Sequence, residues 1–239
     1  MTSSRWLKAV ASQSLKTMNH RQTTSCALPP LSPPQSVKNG QMSLLVWVNG
    51  LPYTFLKIEK PSEQGAIMKR ELLIGCGSER TKRLTCDGSK EWSNLTTLDY
   101  NPDHKPDVVW DLMQDALPFE DNTFDEIHAY EVLEHTGSQG DYKFFFRQFS
   151  DFWRVLKPNG HLLATCPSKN SIWALGDPSH TRILVKENLV FLSQQAYADQ
   201  VGKTSMSDFR NIYKANFEPS FVNEGPETFM FVLRAIKCA

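Results

Sequence analysis

The segment Leu72-Leu-Ile-Gly-Cys-Gly77 constrains this chain more than any other stretch. Four residues, Glu71 to Ile74, have the length and apolar character of a short buried strand, and they run straight into a Gly-x-Gly turn at Gly75 and Gly77. Glycine tolerates positive φ and carries no Cβ, so backbone can approach a ligand closely at such a turn. A strand that ends this way and gives way to a helix is a common cradle for an anionic or zwitterionic ligand. A lone Gly-x-Gly also occurs as a plain strand-to-loop bend, so the rest of the chain has to decide.

Further short strands recur downstream. Leu95-Thr-Thr-Leu-Asp99 reads as a second strand ending on an acid, Asp107-Val-Val-Trp-Asp111 as a third, and Phe124-Asp-Glu-Ile-His-Ala-Tyr130 as a fourth. Asp141 to Lys157 has the apolar spacing of a helix, with Tyr142, Phe145, Phe149, Phe152 and Leu156 at steps of three and four. Asp141 stands where a helix N-cap belongs, and Pro158-Asn-Gly160 where the helix should stop. His161 to Cys166 then reads as a fifth strand, Asn188 to Val201 as a helix, and Phe209–Phe217 and Thr228–Lys237 as two closing β-rich runs. Short apolar strands joined by connecting segments imply an α/β fold: a Rossmann-like, doubly wound and mostly parallel sheet covered on both faces.

In such a sheet ligands bind at the carboxyl ends of the strands. Gly75–Gly77, Asp99, Asp111 and Tyr130-Glu131 would all border one crevice. An acid closing the second strand is placed to accept two hydrogen bonds from a ribose diol. Asp111 could accept from an adenine amine, with Leu112 against the ring, or it could be an ordinary solvated carboxylate.

The chain from Leu72 to Ser168 resembles a class I S-adenosylmethionine-dependent methyltransferase. The resemblance rests on Leu-Leu-Ile-Gly-Cys-Gly, Leu-Asp-Tyr, Leu-Pro-Phe-Glu-Asp-Asn-Thr-Phe-Asp, Glu-Val-Leu-Glu-His and Trp-Arg-Val-Leu-Lys-Pro-Asn-Gly-His-Leu, in that order. Asp177-Pro-Ser-His180 and the final strand pair resemble the tail of the same fold, which implies seven strands with an antiparallel C-terminal pair. The resemblance implies that S-adenosyl-L-methionine is the cofactor. It gives Gly75, Cys76 and Gly77 backbone contacts to the amino-acid end, Asp99 the ribose, Tyr100 the adenine edge, Asp111 and Leu112 the adenine, and Tyr130 and Glu131 the floor beneath the sulfonium. One departure stands out: Glu79 occupies the position where the family's loop often has a third glycine. His135 and His180 are the candidates for a catalytic base if one is used, though each reads more readily as structural. Lys169 to Thr181, with Trp173, is expected to shape the acceptor pocket. No metal site is expected, because His128, Glu131 and His135 share no helical face and match no ligand spacing. The aromatics Phe144-Phe-Phe146, Phe149, Phe152 and Trp153 read as core.

Composition bounds the remainder. The 239 residues carry 26 basic and 26 acidic side chains, so strong nucleic-acid binding by phosphate neutralisation is not indicated. The partner expected is a methyl acceptor of unidentified class, and the chain does not reveal its oligomeric state. Five scattered cysteines form no Cys-x-x-Cys pair, which fits a reducing cytoplasmic setting rather than a disulfide or zinc framework. No apolar run reaches the roughly 20 residues that span a bilayer. No Asp or Glu occurs before Glu59, whereas Arg5, Lys8, Lys16, Arg21, Lys38 and Lys57 do. Residues 1–67 are therefore expected to be a basic, acid-poor, disordered extension, and residues 68–239 the methyltransferase domain. Three accounts of the extension stay open: an organelle transit peptide (residues 1–58), a disordered tail, or sequence ahead of a true start at Met68. Within it, Ser43–Val48 and Leu51–Ile58 could pair through Asn49-Gly50. A nicotinamide-dependent dehydrogenase would share the sheet and Asp99, but Arg80 stands three residues after Gly77 where a third glycine would be needed. A non-catalytic cofactor-binding module of the same fold is the other alternative.

Overall fold

The computed structural model describes residues 46–48, 51–53, 68–114 and 116–237. The chain divides into two units, Met1–Ser62 and Glu63–Ala239. In the first, β1 (Val46–Val48) pairs antiparallel with β2 (Leu51–Tyr53), with Val48 opposite Leu51 and Trp47 opposite Pro52. This is the core of the hairpin expected there; the rest of that stretch lies outside the described residues.

The second unit is built on seven strands: β3 (Arg70–Ile74), β4 (Asn94–Asp99), β5 (Val108–Val109), β6 (Phe124–Tyr130), β7 (Leu156–Pro167), β8 (Phe217–Glu224) and β9 (Thr228–Ala235). Their order in the sheet is β5-β4-β3-β6-β7-β9-β8. The first five run parallel, and β9 joins antiparallel between β7 and β8. The chain order reverses beside β3, which puts a switch point between the carboxyl ends of β3 and β6.

One sheet face carries Leu72, Ile74, Leu98, Ile127, Ala129, Leu162 and Ala164, all essentially without exposure. Helix α1 (Tyr142–Val155) adds Phe146, Phe149, Phe152 and Val155 to that core. Asp141 caps it as expected, its carboxylate accepting from the Phe144 N–H at 3.0 Å. The aromatic stripe is thus core, and the Trp153 indole reaches across to donate to the Ile236 carbonyl at 3.1 Å.

Several expected boundaries shift. Pro158-Asn-Gly160 does not precede the fifth strand but lies inside it, since β7 begins at Leu156 directly after α1. Asn159 there takes φ +63°, and a register shift between Phe124 and Glu126 absorbs the irregularity in β6. The third strand shrinks to Val108–Val109, and Phe209 to Asn216 form turns ahead of β8. The helix expected over 188–201 is two short ones, α3 (Lys186–Val190) and α4 (Gln194–Gln200). Ser193 separates them because its hydroxyl accepts from the Ala196 N–H and restarts the helix. A further four-residue helix, α2, spans Trp173–Gly176.

After Gly77, residues 78–93 form turns and loop. Side chains capture the backbone here. Asp87 accepts from the Ser89 N–H at 2.9 Å and from the Thr85 hydroxyl at 2.8 Å, and Glu79 accepts from the Thr81 N–H at 2.8 Å. The segment covers the second face of the sheet with a polar layer. Glu71, Glu126, His128 and Lys82 are buried there beside Leu73, Tyr130 and Trp92. Lys82 Nζ sits 2.6 Å from Glu71 and 3.8 Å from Glu126, with 5.4 Å to the Trp92 ring centre. His128 lies 3.2 Å from Glu126 and 2.7 Å from the Tyr130 hydroxyl.

Candidate active site

At the carboxyl end of β3 the backbone turns through Gly75 at φ +58° and Gly77 at φ +52°. The two glycines serve different purposes. A Cβ on Gly75 would lie 2.2 Å from Val132 Cγ2, so its missing side chain admits the chain following β6. A Cβ on Gly77 would meet nothing within 4 Å, so there the backbone borders open space. That open edge is where a ligand can reach the turn.

Asp99 fixes this edge. One carboxylate oxygen accepts from the Gly77 N–H at 2.8 Å, and the other accepts from the Asn101 N–H at 2.9 Å. Its backbone joins the neighbours too: the Asp99 carbonyl accepts from the Trp110 N–H at 2.9 Å, and the Leu98 carbonyl from the Cys76 N–H at 3.1 Å. The ends of β3, β4 and β5 are thereby drawn into one rim. Arg80 closes it by donating to the carbonyls of His104 (2.8 Å) and Lys105 (3.1 Å). Tyr100 is 73 % exposed on this rim, Asp111 is exposed with its carboxylate accepting from the Met113 N–H at 2.8 Å, and Leu112 is half-buried against the core.

Two expected contributors have buried side chains. Cys76 is buried with Leu73 and Tyr130 beneath the turn, so only its backbone belongs to the rim; burial pushes its thiol up from the usual range. The Tyr130 ring is buried under residues 83–84, with the Arg83 and Leu84 N–H groups donating to its hydroxyl, and burial raises it to about 12. The chain then turns at Glu131, a non-glycine residue at φ +53°, whose N–H donates to the Thr165 carbonyl at 2.9 Å.

Glu131 opens onto a cavity of about 350 Å³, whose wall also includes Glu134, His135, Trp173, Asp177 and His180. Its far side is formed by Glu227 and Thr228 at the start of β9, a contribution that no sequence signal announced. A 3-10 turn, Leu133–His135, carries Glu134 and His135. Residues 181–182 zip onto that turn: the Glu134 carbonyl accepts from the Thr181 N–H at 2.9 Å, and buried Arg182 donates to the Leu133 carbonyl at 2.8 Å. Arg182 is anchored in turn by Thr136 (3.0 Å) and Gln148 (2.5 Å), and burial lowers it to about 10. This pairing brings His180 opposite His135, with ring centres 4.6 Å apart. Burial pushes the Glu134 carboxyl up to about 7, its own backbone N–H opposing and the charge of Glu131 adding to the shift. Burial and then the charge of Glu134 hold the adjacent Cys166 thiol well above its usual range. The sequence motif Glu-Val-Leu-Glu-His pointed to this turn, but nothing in it showed that Glu134 would be buried.

Strand order, switch point and glycine rim define a cofactor-binding α/β domain with the seven-stranded Rossmann-like sheet of class I methyltransferases. Residues 72–164 match the family model described as a methyltransferase domain. These residues therefore form a methyltransferase domain. No curated protein matches the sequence. Among solved structures, the chain is similar to a SAM-dependent methyltransferase from Archaeoglobus fulgidus, with 17% identity over 70% of this chain and 86% of that one, TM-score 0.44. It is also similar to a complex of the Haloferax volcanii Trm112 methyltransferase activator with a methyltransferase (14%, 72% and 84%, 0.44). A third is the N-methyltransferase NodS from Bradyrhizobium japonicum in complex with S-adenosyl-L-homocysteine (14%, 71% and 79%, 0.43). At these values the likenesses add nothing to what the strand order itself establishes. No described helix is long and apolar enough to cross a membrane.

Proposed function

We propose that the domain holds S-adenosylmethionine on the rim made by Gly75, Cys76 and Gly77, Asp99, Tyr100, Asp111, Leu112, Tyr130 and Glu131, and methylates an acceptor seated in the adjoining cavity. The observation that carries this reading is the open space at Gly77, whose φ is +52° and whose N–H is held by Asp99. A carboxylate offers about four lone-pair sites. Asp99 therefore keeps acceptor capacity for a ribose diol after binding the two backbone N–H groups. Tyr130 contributes through its backbone, since its ring props the segment behind the rim.

The bound cofactor supplies a methyl group already activated on a sulfonium. The chain's residues then have to align an acceptor and exclude water. Glu131 belongs to both compartments: it follows β6 beside the rim and opens the cavity wall. Its carboxylate, with those of Asp99 and Asp111, makes an acidic border suited to a cationic cofactor. The cavity walls from residues 134–135 and 173–180 position the acceptor and screen it from solvent.

We further propose that residues 1–67 lie outside this domain, which the absence of acidic residues before Glu59 supports. We place the protein in the cytoplasm, a reading supported by its unpaired cysteines, Cys76, Cys86 and Cys166 among the described residues.

Thermal unfolding of the full chain tests the cofactor reading. S-adenosylhomocysteine should raise the melting temperature and NAD should not. At a hundred times its dissociation constant, a ligand adds about 2.7 kcal/mol. No shift with millimolar S-adenosylhomocysteine refutes the reading.

A further inference from the structure

Three acceptor groups converge in the cavity beyond Glu131. Glu134 is 2 % exposed, and neither of its carboxylate oxygens has a hydrogen-bond partner among the described residues. His135 Nδ1 lies 3.3 Å from the Ser179 carbonyl oxygen and 3.1 Å from the Ser179 hydroxyl. That hydroxyl gives its own proton to Asp177 at 2.5 Å. Both contacts at His135 are therefore met by an Nδ1–H, which leaves the ring's lone pair on Nε2. His180 Nδ1 lies 2.8 Å from the Trp173 carbonyl oxygen, which fixes the same tautomer. One candidate ligand atom from each of Glu134, His135 and His180 falls within 4.8 Å of the others. The Asp177 carboxylate is a further 3.8 Å from His180 Nε2.

Two imidazoles anchored through Nδ1–H to backbone carbonyls, each with Nε2 left to bind, form the arrangement in which proteins hold metal-ligating histidines. A buried carboxylate whose two oxygens accept no hydrogen bond from the described residues, with the Cys166 thiol adjacent, supplies the anionic partner. We propose that Glu134, His135 and His180 bind a divalent transition-metal ion in the acceptor cavity, with Asp177 at its edge. Donors around a tetrahedral ion at ~2.1 Å stand about 3.5 Å apart, so small rotations of three side chains complete the sphere. A set of two imidazoles and one carboxylate suits zinc, iron, cobalt or nickel better than calcium. This departs from the expectation of no metal site. Glu134 and His135 are neighbours in sequence, whereas His180 joins them only because residues 181–182 pair with residues 133–134.

The role of the ion rests on the reading of this cavity as the acceptor side: a hydroxyl or carboxylate oxygen of the acceptor could enter an open coordination position there. The binding itself can be tested without turnover. The full chain, stripped with chelator, is titrated with Co²⁺ while visible absorption is recorded, and with Zn²⁺ by calorimetry. One equivalent should bind, with cobalt d–d bands. Glu134→Gln and His180→Gln should each weaken binding by at least about 100-fold, beyond the 10–100-fold typical of an outer partner. S-adenosylhomocysteine affinity should stay within about twofold in both variants, because neither side chain touches the Gly77 rim. If a variant loses its cooperative melt, His135→Asn on the exposed wall of the cavity replaces it. Absence of saturable metal binding by the parent up to about 1 mM, or equal affinity in parent and variants, overturns the proposal. Failure of S-adenosylhomocysteine to bind the parent would refute the cofactor reading and leave the metal assignment standing.

Discussion

Asp99→Ala is the most informative single perturbation of the rim. The sequence alone suggests a strand-end carboxylate with no structural duty, whose loss would change cofactor affinity and little else. The structure gives it two tasks. It accepts from the Gly77 and Asn101 N–H groups at 2.8 and 2.9 Å while almost fully buried. Hydrogen bonds to a charged group contribute about 1.5–3 kcal/mol each. Losing two should cost the fold about 3 kcal/mol or more. For a domain of this size, 1 kcal/mol corresponds to about 2–4 °C, so the melting temperature should fall by roughly 6–12 °C. If Asp99 also holds the ribose, S-adenosylhomocysteine affinity falls at least tenfold, since about 1.4 kcal/mol already gives that factor. A relaxed loop could mimic this loss, so the ligand must be varied too. A 2′-deoxyribose analogue should bind the parent more weakly than S-adenosylhomocysteine and bind Asp99→Ala equally to it, a coupling that only direct contact produces. Asp103→Ala, exposed on the same loop, serves as control. Calorimetric titration of both ligands into all three proteins makes the comparison. If the deoxy analogue loses as much affinity in Asp99→Ala as in the parent, Asp99 does not touch the ribose.

The same geometry sets other outcomes. Gly75→Ala places a Cβ 2.2 Å from Val132 Cγ2 at φ +58° and should lower the melting temperature sharply, whereas Gly77→Ala, with open space ahead of it, should mainly weaken S-adenosylhomocysteine binding; calorimetry and thermal melts separate the two. Burial alone would raise the Glu71 carboxyl, but His128, Lys82 and the Ser93 N–H outweigh it and hold it at about 2, down from 4.5. A depressed carboxylate stabilises the fold above its unfolded value and loses that contribution as pH falls, so about 3 kcal/mol should disappear between about pH 5 and pH 2; Glu71→Gln should show a flatter acid limb in denaturant titrations, and an identical limb would contradict the assignment. Lys82→Met leaves buried Glu71 without its cationic partner and should cost about 3–5 kcal/mol, with the double variant Glu71→Leu/Lys82→Met recovering most of it in urea unfolding. A chain beginning at Met68 should melt cooperatively if residues 1–67 are dispensable; aggregation of that chain alone would assign them to the domain.

Much of the sheet was legible because each strand is a short apolar run closed by a turn signal or an acid. Glu71–Ile74, Leu95–Asp99, Phe124–Tyr130 and His161–Cys166 all lie within observed strands. The helix over 142–155 was legible because Asp141 caps it and its aromatics keep a single stripe. Local rules failed where long-range pairing decided. Lys157-Pro-Asn-Gly160 looks like a terminator, yet the partner strand β6 takes the chain up at Leu156 and extends β7 through it. Glu71, Glu126 and His128 alternate with apolar residues, a pattern that ordinarily marks a wet face. Here that face is buried, because Lys82 arrives from the loop that follows Gly77. The cavity beyond Glu131 was partly legible: Ser171, Trp173, Asp177 and His180 line it, as does His135. Glu134, Glu227 and Thr228 were not, since the burial of Glu134 and the placement of the other two depend on Arg182 and on strand order rather than on any local motif.

A loop in place of a helix after Gly77 sets how the rim is held. In the helical arrangement, backbone hydrogen bonds and the helix dipole would fix the turn and favour a negative ligand group at its start. Here those duties pass to side chains. Arg80 links the turn to the loop after β4 through the His104 and Lys105 carbonyls, while its own carbonyl accepts from the Trp92 indole at 2.5 Å. Two residues on, Lys82 is clamped to Glu71 in β3, the strand that leads into the same turn. The turn is therefore held from both sides by charged groups on alternate residues. Trp92 links them, since it binds the Arg80 carbonyl and packs beneath the Lys82 ammonium. The shape of the rim then rests on the open backbone at Gly77 and the guanidinium of Arg80 rather than on a row of helix N–H groups. Substituting Trp92 should accordingly disturb the rim without touching it.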